Sequence, residues 1–351
     1  MKKPLRVLHL ADRLYQNGGI ETKLTQYLSD STSIQSYVMA KNKQAFIPRK
    51  IRTYAPTTNV IDKLSIVFFL FFHRIQLIDV HSAENWVVDF ILSVRKRLNI
   101  KVILTVHGDY LKDRTYRMTW DYVILISNRL KNNVLHKFRN KNIPWAVIPN
   151  AIQLAYPISE PRTVHNYAIL ISRLEEDKYA SIASFIALCR HIGIHFKIAG
   201  STDKKSFIDT IQQDFNLNDS HFLGYVNTQE LLSKNKFLFV AGLGLTAIEA
   251  LTYYNKVCIP SSVAYQHTVF VNDSNVSRLF DDNFTVKDPQ AHNNEESLLE
   301  RYQNATYLSP HHMALFNFEM RYNNYLQVLH DCMVGNSSTL RRTARYNDLA
   351  L

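Results

Sequence analysis

The sequence predicts an α/β protein of two doubly wound lobes, and three observations predict it. A length of 351 residues exceeds the usual span of one hydrophobic core. Short apolar runs alternate with helix-period segments through both halves, the pattern of parallel strands covered on both faces. Between the halves, Pro149, Pro157 and Pro161 mark a linker.

In the first half, Leu5–Ala11 reads as a buried strand. Ile20, Leu24, Tyr27 and Leu28 follow at helical spacing, and Ser29-Asp30-Ser31 ends that helix. Tyr37–Ala40 is a second strand. Asp62 can cap a helix running through Leu64–Phe72, and this apolar stretch, about half of the ~20 residues that cross a membrane, is expected to be buried. Leu77–His81, Val102–Val106, Val123–Ile126 and Ala146–Asn150 continue the strands. Helices through Trp86–Leu98 and Ser127–Phe138 lie between them.

The second half repeats the alternation. Ala168–Ile171, Phe196–Ala199, Phe222–Val226, Phe237–Val240 and Val257–Ile259 read as strands. Helices through Ala180–Leu188, Phe207–Ile211, Thr228–Leu232 and Thr246–Tyr254 connect them. Met313–Met333 is a C-terminal helix, and 334–351, rich in Ser, Thr and Arg, is expected to be mobile. The expected boundaries are 1–157 and 158–310 for the two lobes, 311–333 for the last helix and 334–351 for the tail.

Composition excludes several classes. Hydrophobic residues make up 46% and charged residues 20%, as in a globular rather than a disordered chain. Cys189, Cys258 and Cys332 lie far apart with no CxxC spacing, against a disulfide framework or a zinc site and in keeping with a reducing compartment. Met1 runs within a few residues into the first strand, so no signal peptide is expected, and the cytoplasm is the expected location. The net charge of +11 is uneven: residues 1–157 hold 24 Lys+Arg against 10 Asp+Glu, and the rest hold 17 against 20. A basic half suits an anionic partner such as a phospholipid surface, a phosphorylated acceptor or nucleic acid; a generic basic surface kept for solubility is the alternative. Nucleic acid is the least expected, since no RNA- or DNA-binding motif accompanies the charge.

With only nine glycines in the chain, their placement carries information. Gly18-Gly19, between the first strand and helix, could bring backbone N–H groups to a phosphate, or could simply make a tight turn. Gly242-Leu243-Gly244-Leu245 joins a buried strand to a helix. Glu249 follows just over a turn into that helix, placed to grip ribose hydroxyls while the helix start takes a diphosphate. A solvated helix residue is the plainer reading of Glu249. Arg173 and Lys178 follow the first strand of the second lobe, where cations could meet phosphate oxygens. The Glu175-Glu176-Asp177 run between them could equally make a surface ion-pair cluster. His107-Gly108-Asp109 ends the strand Val102–Val106, where a histidine could bond a donor sugar or act on an acceptor hydroxyl.

Taken in order, these pieces resemble the retaining nucleotide-sugar glycosyltransferases of family 4, whose GT-B fold sets two Rossmann-like lobes facing across a cleft. The likeness includes Gly18-Gly19-Ile20-Glu21, Thr105–Asp109, Ile148-Pro149-Asn150, Arg173 to Lys178, Ile198-Ala199-Gly200, Phe222–Val226 and Gly242 to Leu251, and extends to about residue 330. The resemblance implies that the second lobe binds the nucleotide sugar, with the base near Gly224, Tyr225 and Val226 and the ribose at Glu249. Arg173, Lys178 and the backbone of Gly242, Leu243, Gly244 and Leu245 would stabilise the diphosphate in place of a metal; no DxD motif is present, and neither a metal nor another cofactor is expected. Gly18 and Gly19 would complete the donor site, and His107 would lie near the transferred sugar. The basic lobe would take a glycan or lipid-linked acceptor, resting on an anionic membrane face, and the last helix would cross back onto the first lobe. Surface polysaccharide biosynthesis is the implied setting.

The chain departs from the family pattern at two places. The earlier acid of the family's paired-glutamate motif, which contacts the donor sugar, is replaced here by Ala241, and Ala151 stands where the family turns with Gly. Ala241 keeps two other readings open: a catalytically silent partner of another transferase, and a nucleotide-sugar epimerase of the same two-lobed fold.

Overall fold

The computed structural model describes residues 4–14, 24, 34–43, 51–53, 60–81, 85–108, 111–153, 157–202, 204–285, 297–335 and 341–342. The chain divides into two compact units, Met1–Asn150 with Glu319–Leu351, and Ala151–Phe318. Each is built on its own parallel α/β sheet, the arrangement of the two Rossmann-like lobes of the GT-B fold.

The first unit contains β1 (Leu5–Leu14), β2 (Ile34–Lys43), β3 (Ile51–Thr53), β4 (Leu77–Val80), β5 (Lys101–Val106), β6 (Tyr122–Leu125) and β7 (Trp145–Val147). Their order is β7-β6-β5-β4-β1-β2-β3, with every pair parallel. Val7, Leu8, Leu10, Leu77, Ile78, Val102, Ile103, Val123 and Ile124 have essentially no exposure, as strands covered on both faces require. Three longer helices serve this unit: α1 (Val60–Phe72), α2 (Asn85–Leu98) and the C-terminal helix Phe318–Val334.

α1 corrects the expectation that its apolar stretch is buried. Ile66, Phe69 and Leu70 face the core, where Phe69 meets Tyr37 of β2 edge-on. Val60, Ile61, Leu64, Phe68, Phe71 and Phe72 form the opposite stripe, with Ile61 76% and Phe72 81% exposed. An all-round apolar helix reads as buried from sequence alone; here it lies over one face of a sheet, which covers one side of it.

The second unit holds β8 (Thr163–Val164), β9 (Ala168–Ile171), β10 (Phe196–Ala199), β11 (Phe222–Gly224), β12 (Asn235–Lys236), β13 (Val240–Ala241), β14 (Val257–Ile259) and β15 (Val269–Phe270). The main sheet runs β11-β10-β9-β13-β14-β15, parallel except for β15 at one edge, and β8 and β12 pair separately. Its core gathers Leu170, Ile182, Phe185, Ile198, Phe239 and Cys258. Two strands are shorter than expected. β11 stops at Gly224, whose φ of +65° turns the chain, and regular pairing reaches β13 only at Val240, although Phe237 and Phe239 are buried.

The expected helix over Met313–Met333 is interrupted. Pro310–Met313 forms a single turn, Asn317 takes an extended conformation, and the long helix begins at Phe318. In the tail expected to be mobile, β16 (Arg341–Arg342) pairs parallel with β7.

Candidate functional site

In the second unit, the strands of the parallel sheet end side by side, and most of the sequence-singled residues follow those ends. β13 lies next to β9, and β9 next to β10. The loops after them are tied together: Ser172 N–H donates to Ala199 O at 3.0 Å, Leu174 N–H to Ser201 O at 3.0 Å, and Gly200 N–H to Gly224 O at 2.8 Å. The approach is so close that a Cβ on Gly200 would sit 1.8 Å from the Ser172 carbonyl oxygen. Only glycine fits there.

After β13 the chain turns through Gly242 and Gly244 into α3 (Leu245–Thr252). A Cβ on Gly242 would meet Thr246 Cγ2 at 2.8 Å, and Gly244 holds a φ of +55°, so both positions demand glycine for this turn. Leu243 and Leu245 are half-buried at the helix start. Glu249 lies one turn in, and it is buried rather than solvated. Gln229 Nε2 donates to its Oε1 at 3.3 Å, and Tyr253 Oη donates to Gln229 Oε1 at 3.4 Å. Burial pushes the Glu249 carboxyl up to about 7, against the opposing hydrogen bond from Gln229.

Arg173 and Lys178 follow β9, and the acidic run between them is engaged. Arg173 Nη1 lies 3.2 Å from Glu175 Oε2, Lys178 Nζ 2.7 Å from Asp177 Oδ2, and Lys204 Nζ 2.9 Å from Glu176 Oε1. The ion pairs of the surface-cluster alternative are therefore formed. Gly224 has open space at its Cβ position, Tyr225 beside it is exposed, and Val226 is half-buried. Ala241, where the family pattern has its earlier glutamate, is fully buried in β13 between Leu170 and Cys258.

In the first unit, Gly18 and Gly19 lie outside the described residues, as does Asp109. His107, half-buried just past β5, belongs to a group that sequence reading did not assemble. His81 Nδ1 lies 2.8 Å from His107 Nε2. His81 Nε2 lies 3.3 Å from Asp79 Oδ2 and 3.2 Å from His9 Nδ1. Thr105 Oγ1 donates to Asp79 Oδ1 at 2.6 Å, and Tyr325 Oη donates to Asp79 Oδ2 at 2.8 Å. The side chains of His9, Asp79 and His81 have no exposure. Burial alone would raise the Asp79 carboxyl, but the charge and hydrogen bonds of His81, then of His9, hold it well below the usual carboxylate range.

Strand pairing brings these residues together: His9 of β1 stands opposite Asp79 of β4, and Thr105 comes from β5, the next strand. The signal was present as polar residues inside apolar runs, Leu8-His9-Leu10 and Ile78-Asp79-Val80-His81. Ligand atoms of His9, Asp79 and His81 all lie within 4.8 Å of one another, a spacing that a metal ion could use. Each of those side chains already has hydrogen-bonding neighbours within the cluster, and both Asp79 oxygens accept hydroxyl donors.

No protein-family profile and no curated protein matches the chain. Solved structures do match over nearly its full length. A structure of Anabaena HepE in complex with UDP and glucose aligns with a TM-score of 0.63 at 12% identity, covering 93% of this chain and 100% of that one. A glycosyltransferase from Rickettsia africae aligns at 0.57 and 13%, covering 95% and 100%. The pneumococcal O-GlcNAc transferase GtfA, in complex with UDP and GlcNAc, aligns at 0.56 and 10%, covering 95% and 99%. At these identities the likeness establishes the GT-B fold. Among the described residues, no helix is long and apolar enough to cross a membrane.

Proposed function

We propose that this chain is a metal-independent glycosyltransferase of the family 4 type. It would move a sugar, with retention of configuration, from a nucleotide-sugar donor to a glycan or lipid-linked acceptor in surface polysaccharide assembly. The observation that carries the reading is the strand-end arrangement of the second unit. A glycine turn leads into α3, the buried Glu249 carboxyl lies one turn in, and Arg173 and Lys178 stand after the neighbouring strand. HepE and GtfA, which share this fold, are solved with UDP.

In this reading the donor diphosphate displaces Glu175 and Asp177 as the partners of Arg173 and Lys178. Backbone N–H groups at the start of α3 meet the same charge, and Glu249, ionised on binding, accepts ribose hydroxyls. Gly224, Tyr225 and Val226 flank the base. His107 is the residue of the first unit assigned to the transferred sugar, and Gly18 and Gly19, also assigned to the donor, lie outside the described residues. Rate enhancement then comes from positioning and from stabilising the departing diphosphate.

UDP tests the pocket directly, because a ligand of the native state raises the melting temperature. We expect UDP to stabilise the full chain, and Lys178→Ala and Glu249→Ala each to abolish the shift. If both variants keep the wild-type shift, the pocket is misassigned.

The exposed stripe of α1 supports peripheral attachment to an anionic lipid surface. α1 and α2 both end at the edge where β4 and β5 begin, since Leu77 pairs with Lys101. Arg74, Lys96 and Arg97 are exposed at that edge, close in sequence to Phe71 and Phe72 and to the end of α2. An apolar stripe with cations at its end suits an anionic leaflet, each basic residue adding about 1 kcal/mol. Vesicles of phosphatidylglycerol and phosphatidylcholine should retain the wild-type chain at low salt and release the double variant Phe68→Asp, Phe72→Asp. Equal behaviour of the two proteins overturns the assignment of α1.

A second reading rests on Ala241. Its side chain is sealed within β13, so the sugar-contacting carboxylate of the family pattern is missing. A silent partner of another transferase would release no nucleotide from any donor sugar, and a screen of nucleotide sugars for hydrolysis or transfer separates the two.

A further inference from the structure

His9, Asp79 and His81 share one face of the first sheet. Asp79 and His81 are two residues apart, on β4 and just past its end, and His9 stands directly opposite Asp79 on β1. His81 N–H donates to Leu10 O at 2.9 Å, so the two strands stay paired through this level. The three side chains are thus carried by paired backbone rather than by loops, and none of them is exposed.

Their donor atoms form a triangle. His9 Nδ1 lies 3.2 Å from His81 Nε2, His81 Nε2 3.3 Å from Asp79 Oδ2, and His9 Nδ1 3.7 Å from the same oxygen. Each ring nitrogen offers one in-plane direction, filled by a proton or by a lone pair. With a carboxylate as the third corner, protons can serve two sides of the triangle. The remaining side then sets a lone pair against the carboxylate oxygen, or N–H against N–H. That holds whatever the charge of either ring and whatever else the rings touch. A cation at the centre satisfies all three atoms at once. The point equidistant from them lies about 2.0 Å from each, the usual distance of zinc from imidazole nitrogen and carboxylate oxygen.

We propose that His9 Nδ1, Asp79 Oδ2 and His81 Nε2 form a binding site for one divalent first-row transition ion, with zinc the best fit to the donor set. Two imidazoles and a carboxylate suit such an ion, whereas magnesium and calcium favour shells of oxygen. The neighbouring contacts orient the ligands. Thr105 Oγ1 donates to Asp79 Oδ1, Tyr325 Oη donates to Asp79 Oδ2, and His107 Nε2 lies 2.8 Å from His81 Nδ1. With three protein ligands, one position is left for water. The ion ties β1 to β4 and, through Tyr325, to the last helix, and at this depth its binding accompanies folding. The inference does not rest on the transferase reading, whose diphosphate is met by Arg173 and Lys178 in the second unit.

The test strips the full chain with a chelator, dialyses it against zinc chloride and measures bound metal. We expect one zinc ion per chain and a melting temperature above that of the stripped protein. X-ray absorption should show two imidazoles in a shell of nitrogen and oxygen at about 2.0–2.1 Å. Asp79→Asn should lower zinc affinity roughly a hundredfold, and Thr105→Val, which spares all three ligands, about tenfold. The double variant His311→Ala, His312→Ala removes a histidine pair outside the core and should change neither stoichiometry nor affinity. If Asp79→Asn does not fold, the wild-type absorption spectrum decides. The proposal is overturned if the stripped chain takes up no zinc at concentrations up to about 10 μM, or if folded Asp79→Asn binds it as wild type does. It is also overturned if the spectrum shows sulfur or fewer than two imidazoles, or if the His311 and His312 variant loses the ion. Transfer activity is no part of the readout, so failure of the transferase reading leaves this result standing.

Discussion

Asp79 in the first unit and Glu249 in the second are both buried, yet the first is held well below the usual carboxylate range while the second is pushed up to about 7. Asp79 has two hydroxyl donors and two histidines around it. Glu249 has the amide of Gln229 at 3.3 Å. Burial penalises the charge in both places, and the surroundings decide whether the penalty is overcome. The first unit has built a site for a permanent negative charge. The second holds a carboxyl that sits near its own midpoint at neutral pH, as suits a group whose charge is needed when a ligand arrives.

The contrast can be broken most forcefully at Asp79. Asp79→Asn should cost about 3 kcal/mol at neutral pH in urea unfolding, because it removes one side of a buried charged cluster. A carboxyl held low contributes stability above its unfolded value near 4, and that contribution disappears as pH falls through the folded value. A loss confined to acid, or absent altogether, would mean Asp79 is not ionised in the folded chain.

Glu249→Gln should do the reverse. A carboxyl raised to about 7 makes the folded state the better proton binder, so stability falls as pH rises from about 4.5 towards 7 and is flat above. Glu249→Gln should remove that slope and gain about 1–3 kcal/mol at pH 8 without ligand. A variant less stable than wild type at that pH would show the carboxylate already well satisfied. If ribose hydroxyls meet the ionised form, UDP binding releases a proton, and affinity should rise about tenfold between pH 5.5 and 7.5. Calorimetry in buffers of different ionisation enthalpy checks the proton count, and Glu249→Gln should flatten the profile. The smallest effect belongs to Lys204. Its pair with Glu176 is exposed on both sides, and Lys204→Ala should leave the melting temperature where it was.

The fold was readable because its strands are short apolar runs that parallel sheets require; Leu77–Val80, Ala168–Ile171 and Phe196–Ala199 are identifiable without coordinates. Regularity within a run was less so. Phe237 and Phe239 are as apolar as any strand, but the ladder closes only at Val240, since pairing depends on what β9 presents. Two-residue strands such as β8, β12 and β16 carry too little pattern to stand out. Residues near a glycine turn were legible, because Gly244 holds a φ that few other residues adopt and Gly242 packs too close to Thr246 for a side chain. The Asp79 group was not, since its members come from positions 9, 79, 81, 105, 107 and 325 and meet only through strand order and the last helix. The solvation of α1 was hidden for a related reason: apolar side chains on all sides say nothing of which neighbour is missing.

That missing neighbour has a practical meaning for anyone handling the protein. Six large greasy side chains on one rod about 20 Å long do not stay wet willingly. In dilute, detergent-free buffer, copies of the chain should clump through this rod, and an apparent molecular weight measured there would report the absence of lipid rather than a physiological assembly.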